Sequence, residues 1–353
     1  MMRSADELKA AWMELRASEK GLHGLELAER LGVRECQLLS SASGTARDGG
    51  SAVSATRLAG DWKALIAKLP GLGRVKAVTR NRDAVIEVEG VYDNIEFFGP
   101  VGQSVSSLDL RIFTNRWRYG FAVRDETPRG LSTSLQFFDE TGQAIHKIFL
   151  RPESDLDAFG ALVREFSSPE QGMVTGFEPA AAVVTPKPDD AIDVEALRAA
   201  WRALKDTHEF FGMLRTFGVT RTQALRLVGE ELAYQVAPKS LDETLRSAAA
   251  QGLRIMVFVG NCGVIQIYSG TVHRVAPMGD WINVLDPAFN LHVRTTRIAN
   301  AWVVRKPTVD GFVTALELYT EDGEQIAQLF GERHTGEAEN QDWRALVTSH
   351  ARV

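Results

Sequence analysis

Cysteine is scarce in this sequence. Only Cys36 and Cys262 occur in 353 residues, and neither belongs to a CxxC pair. That spacing argues against a zinc site, an iron–sulfur cluster or a thioredoxin-like redox centre. Long apolar runs are missing too, with none reaching the roughly 18 residues of a membrane-spanning helix. The first residues, MMRSADELKAAW, carry charges where a secretory signal needs an apolar stretch, so a cytoplasmic location is expected. HExxH, GxSxG, a Walker loop and a helix-opening GxGxxG are all absent, which leaves zinc hydrolases, α/β-hydrolases and common nucleotide folds without support. Net positive charge is lacking: the balance of −6 disfavours generic nucleic-acid binding, although Arg116, Arg118, Arg294 and Arg297 leave room for a local basic patch.

What is present is a repeat. Residues 6–42 read as helices, and DWKALIAKLPGLG as another, broken at Pro70 and Gly71. Residues 43–59 read as a polar, Gly/Ser-rich connection. Short alternating or aromatic-rich runs follow as strands: RVKAVTR, AVIEVEGVY, IEFFG, LDLRIF, RYGFAV, STSLQFF and AIHKIF. SDLDAFGALVREF then closes the unit as a helix. In the second half LKAAWMELRA returns as LRAAWRALKD. LDLRIFTNRWRYGFAV aligns without a gap with FNLHVRTTRIANAWVV, and SLQFFDETGQAIHKIF with ALELYTEDGEQIAQLF. Phe121 thereby matches Trp302, Gly142 matches Gly323 and Phe149 matches Phe330, each 181 positions on. The expected fold is α+β: a tandem duplication of a unit with N-terminal helices and a large, mainly antiparallel sheet, the two halves packed around a cleft. The expected division is a first repeat over 1–167, a linker over 168–191 and a second repeat over 192–353. The unit is far longer than a solenoid repeat of about 20–50 residues.

Chemistry concentrates in DTHEFFGMLRTFG, residues 206–218. On a helix, Phe211, Gly212 and Arg215 share a face with His208. From these residues alone two readings stay open. His208 is either a core-edge histidine on an amphipathic helix or an imidazole that approaches a large apolar cofactor. His23 is a near, but not matching, counterpart in the first repeat. Cys262 lies in Gly-Asn-Cys-Gly between strand-like runs, which a hairpin turn explains better than a nucleophile. Arg111 and Phe113 alternate onto one strand face, and Arg305, Lys306 and Arg333 sit near strand ends where they suit an anionic ligand.

The stretches DTHEFFGMLRTFGVTRTQALRL, LDLRIF with RWRYGFAV, MVFVGNCGVIQIYSG, WINVLDPAFNLHV, and AWVVRKPT with FGER together resemble the bacterial hemin-transport and hemin-degrading factors, the HemS-like haem proteins. The resemblance covers nearly the whole chain. It implies one b-type haem, held non-covalently since CxxCH is absent, with His208 as the proximal iron ligand. It further implies Arg111 with Phe113 on the distal side, Phe211 and Arg221 lining the pocket near His208, and Lys306, Gln328 and Arg333 meeting the propionates. Imidazole is a good haem-iron ligand, and phenylalanine packs on porphyrin without polar groups that need partners.

The resemblance implies haem trafficking: hemin arrives from an inner-membrane importer and passes to a haem oxygenase. Two alternatives stand beside it. One is a hemin-degrading enzyme working with an external reductant, although no flavin or nicotinamide fingerprint is visible. The other is a haem-responsive regulator. The chain is expected to act as a monomer or a dimer, without embedding in a membrane.

Overall fold

The computed structural model describes residues 3–44, 52–180, 185–334 and 336–353. The chain forms two compact units. One holds Met1–Arg80, Glu87–Ala181 and Gly260–Gln266, and the other Asn81–Ile86, Ala182–Val259 and Ile267–Val353. A single division at the linker does not anticipate the two short exchanged segments.

In the first unit the helices Ala5–Ser18, Gly24–Leu31 and Glu35–Ser40 come first. Ser4 and Glu7 form a capping box at the first of them, satisfying backbone N–H groups that a helix start leaves orphaned. The strands run in the order Val53–Leu58, Tyr119–Thr127, Gly130–Phe138, Ala144–Leu150 and Val75–Arg80, every pairing antiparallel. Leu8, Trp12, Leu27, Cys36 and Leu38 of the helices pack with Val53, Phe121, Val123 and Phe138 of the sheet into one core. A three-stranded antiparallel group, Ile95–Phe98, Val101–Ser104 and Asp109–Phe113, completes the unit.

The second unit repeats this plan. Helices Val194–Arg202, Glu209–Phe217 and Arg221–Leu227 cover strands ordered Ala233–Val236, Asn300–Thr308, Gly311–Tyr319, Gln325–Gly331 and Arg254–Gly260. Trp201, Phe210, Met213 and Leu225 meet Trp302, Val304, Ala315 and Tyr319 in its core. The strands Val275–Met278, Trp281–Leu285 and Phe289–Arg294 form its three-stranded group. The duplication extends to irregularities. A register shift falls between Phe137 and Phe138 in one unit and between Leu318 and Tyr319 in the other. Gly142 and Gly323 both turn with φ near the left-handed region, at 80° and 84°, which a side chain disfavours.

One sequence reading of the fold needs correction. Residues 53–58, read as part of a polar connection, form a strand paired with Tyr119–Thr127, because sheet pairing and burial of Val53, Ala55 and Leu58 override the weak local pattern VSATRL; residues 45–51 of that connection lie outside the described residues. Within the linker, residues 168–180 and 185–191 are tied down. Val174 is buried and its N–H donates to Ser40 Oγ, while Asp189 accepts from Gln223 and Arg226; residues 181–184 lie outside the described residues. No helix among the described residues is long and apolar enough to cross a membrane.

Candidate functional site

His208 does not lie inside a helix, as the sequence suggests, but at the N-cap of Glu209–Phe217. Asp206 ends the preceding turn and organises it. Its Oδ1 accepts the His208 backbone N–H at 2.8 Å and is 2.6 Å from the ring Nδ1. An ionised carboxylate only accepts, so Nδ1 carries the proton and the lone pair belongs to Nε2. The backbone N–H of His208, and then its ring and the charge of Arg333, hold the Asp206 carboxyl below its ordinary range against a modest burial effect. The His208 side chain is 84% exposed, which removes the core-edge reading. Phe211, one turn on, is 64% exposed, with the Arg215 guanidinium 5.2 Å from its ring centre. An open imidazole beside an open aromatic ring is a costly surface for a protein to keep, and it suits a flat apolar ligand with a metal centre. Nε2 makes no hydrogen bond among the described residues, so this pair fits the axial and apolar demands of haem. Among the described residues no cluster of three or more His, Cys, Asp or Glu side chains is placed for a metal ion.

Two residues after His208, Phe210 meets a buried charge cluster. Phe210 is nearly fully buried, and both the Arg221 guanidinium and the Lys306 ammonium sit over its ring, 4.9 and 4.5 Å from the centre. Arg221 opens the helix Arg221–Leu227 and gives Glu317 two bonds, Nε to Oε2 at 2.8 Å and Nη2 to Oε1 at 2.6 Å. Lys306 Nζ donates to the same carboxylate at 2.8 Å, and the Tyr319 hydroxyl also donates to it. Burial pushes Glu317 upward, but the two cations and their hydrogen bonds outweigh it and hold its carboxyl well below the carboxylate range. Burial, reinforced by Arg221, pulls Lys306 down to about 8 despite Glu317. Gln328 pairs with Glu317 across the strands, and with Phe258 on its other side. Phe258 and Phe330 meet edge-on at 5.0 Å, and both are half-buried. Arg333 follows the strand Gln325–Gly331 and donates to the Glu337 carbonyl at 3.4 Å. His208, Phe211, Arg221, Lys306, Gln328 and Arg333 thus all belong to the second unit.

Arg111 and Phe113 belong to the first unit, on the strand Asp109–Phe113. Leu110 and Ile112 point into the core, and Asp109, Arg111 and Phe113 occupy the opposite, half-buried face, in accord with strand alternation. Arg111 Nη1 donates to Asp109 Oδ1 at 2.5 Å and to the Leu110 carbonyl at 3.2 Å. Burial raises the Asp109 carboxyl, although Arg111 opposes the shift.

The remaining candidates resolve readily. His23 and His208 both stand at helix N-caps, but His23 has extended backbone and His208 helical backbone, so they correspond in position and not in conformation. The bond that sets His208 apart is the one from its ring to Asp206. Cys262 sits in a turn closed by Asn261, whose Oδ1 accepts from Gly263 and Val264. Burial and then Asp139 push its thiol up to about 12, the opposite of an activated nucleophile. Of the four basic-patch residues, Arg116 pairs with Glu140, and Arg294 and Arg297 with Asp83. Asp206, Glu317 and Tyr319 escaped the sequence reading. The signal was an acid two residues before His208, and a single acid within the apolar run ALELY.

The family model described as the Haemin-degrading HemS.ChuX domain matches the chain twice, over residues 32–166 and 218–350. The matches begin at the glycines that close the two histidine-capped helices, so His23 and His208 lie just outside them. The hemin transport protein HemS of Yersinia enterocolitica is 41% identical over 338 residues, which cover 94% of each chain. The crystal structure of holo-PhuS, a heme-binding protein from Pseudomonas aeruginosa, has a TM-score of 0.94 at 43% identity, covering 99% of this chain and 100% of that one. The structure of ChuS, described as an E. coli heme oxygenase, has a TM-score of 0.85 at 37% identity, covering 97% of this chain and 99% of that one.

Proposed function

The chain belongs to the haemin-degrading HemS/ChuX family, and on that premise we propose that it binds haem as cargo in haem-iron uptake. In this reading it takes hemin, a non-covalent b-type haem, from an inner-membrane importer and hands it to a haem oxygenase in the cytoplasm. The observation that carries the reading is the exposed His208 ring, its Nδ1 held by Asp206 and its Nε2 left for iron. Haem supplies an iron atom that takes an axial nitrogen. The protein supplies the rest. Asp206 fixes the tautomer and aims the ring. Phe211 offers an apolar face, and Gln328 and Arg333 answer the propionates, with Arg221 taking the place expected of Lys306, which is buried against Glu317. Arg111, with Phe113 beside it, acts on the distal side. Its charge is permanent, so it donates hydrogen bonds there without competing for the metal.

The relative described as a heme oxygenase favours a second reading, in which the same site opens the porphyrin with an external reductant. One experiment separates the two. Hemin-loaded protein is given a reductant with catalase present, and in parallel is mixed with a haem oxygenase. Transfer of intact haem, with no turnover on its own, supports the carrier. A defined biliverdin isomer formed without the oxygenase supports the enzyme. Protein that takes up no hemin at all ends both.

A further inference from the structure

A carboxylate buried in an apolar strand is costly unless it is paired and hydrogen-bonded. Glu317 is wholly buried, yet it has three partners: Arg221 through two bonds, Lys306, and the Tyr319 hydroxyl. The charges do not cancel. One carboxylate faces two cations, so the cluster keeps one positive charge in surplus. Lys306 is 4% exposed and spends its ammonium inward, on Glu317. Arg221 is partly open, at 24% side-chain exposure, and its two bonds to Glu317 use Nε and Nη2. Its Nη1 makes no hydrogen bond among the described residues.

The first repeat lacks this surplus. Its third helix opens with Glu35 where the second repeat has Arg221. Glu35 is buried and bonds Lys147 at 2.5 Å, one charge against one. Gln136 stands 181 positions before Glu317, and Phe138 the same distance before Tyr319. At these positions the two copies have therefore diverged: the Glu35–Lys147 pair balances, and the Glu317 cluster keeps an excess cation.

We infer that Glu317 is a positioning residue for carboxylate recognition: it grips Arg221 so that Nη1 faces outward, with Lys306 adding charge behind it, and this pair selects ligands that bring a free carboxylate to the site. Glu317 itself touches no ligand. The inference rests on the haem reading, in which the carboxylates are the propionates. A guanidinium fixed at two points loses little further freedom when it takes up an anion, which is the advantage of preorganisation. Without Glu317, Arg221 would lose its anchor and Lys306 the carboxylate that sustains its charge.

The test compares hemin with hemin dimethyl ester, which keeps the iron and the ring but has no free carboxylate. Both are titrated into the full chain in the same detergent, with wild type and Glu317→Gln in parallel. Wild type is expected to prefer hemin by about tenfold or more, as charge-assisted hydrogen bonds allow. Glu317→Gln is expected to bind the ester as wild type does, with an unchanged ferric spectrum, and to lose at least about threefold of the preference. A folded Glu317→Gln protein that keeps the full preference overturns the inference. Should that variant fail to fold, Arg221→Lys takes its place, since it keeps the charge and gives up the two-point grip; an undiminished preference there overturns the inference equally. Wild type that binds hemin and its ester equally ends the inference and leaves haem binding standing. Wild type that binds neither ends the haem reading itself.

Discussion

Asp206 Oδ1 lies 2.6 Å from Nδ1 of His208 and 2.8 Å from the same residue's backbone nitrogen, so one carboxylate oxygen fixes both the ring and the turn that presents it. In the proposed reading this arrangement presents Nε2 of a single tautomer to the haem iron. Replacing Asp206 with Ala should leave His208 able to ligate but poorly aimed. The expected outcome is hemin affinity lower by about 10–100-fold, with the ligand type in the visible spectrum preserved. Hemin titration, together with the rate of loss to a haem scavenger, measures it. Unchanged affinity and rate would mean that Asp206 only caps the turn.

Arg111→Ala should keep the proximal ligation and alter the other side. The pH-dependent transition of the ferric hemin spectrum is expected to move by roughly half a unit or more, since in the proposed reading the Arg111 guanidinium acts on charge at the distal face. An unmoved transition would take Arg111 out of the site.

His146 gives a stability prediction with a definite sign. It is fully buried between Thr79 Oγ1, 2.8 Å from Nδ1, and Tyr92 Oη, 2.5 Å from Nε2. Burial lowers its pKa from 6.5 to about 3. Between those values the unfolded chain binds a proton that the folded chain refuses. This group's contribution is therefore complete above pH 6.5 and is lost as pH falls toward 3, on the order of a few kcal/mol in all. His146→Leu should be less stable at pH 7 by about 1–3 kcal/mol, because Tyr92 and Thr79 lose their partner. Its stability should also fall less steeply between pH 6.5 and 3. Chemical denaturation across that range checks both, and an undiminished slope would contradict the assignment.

Much of the fold was legible because the repeat is written in aligned strands: Tyr119–Thr127, Gly130–Phe138 and Ala144–Leu150 each recur 181 positions later. Alternation in LDLRIF likewise put Arg111 and Phe113 on one face. What could not be read depends on distant partners. Val53–Leu58 is a strand because Tyr119–Thr127 lies beside it, and nothing local in VSATRL demands that. His208 was legible as a candidate, but its N-cap position follows from Asp206 folding back on the turn. Glu317 was invisible because its partners Arg221 and Lys306 lie 96 and 11 residues away.

The paired turn glycines separate conformation from crowding. An added Cβ at Gly142 would meet Phe177 carbons at 2.7 and 2.8 Å, whereas at Gly323 it would meet Thr222 Oγ1 at 3.1 Å. Both alanine variants carry the left-handed penalty of about 1 kcal/mol or more. Gly142→Ala should be the worse of the two, as read by thermal unfolding midpoints. Equal midpoints would show that Phe177 gives way freely.

The most direct test of the account is a ferric hemin titration of wild type beside His208→Ala, with the visible spectrum recorded throughout. Wild type should take up one hemin with the bands of histidine-ligated haem, and His208→Ala should lose those bands and release hemin faster. Identical spectra and release rates for the two proteins would contradict it.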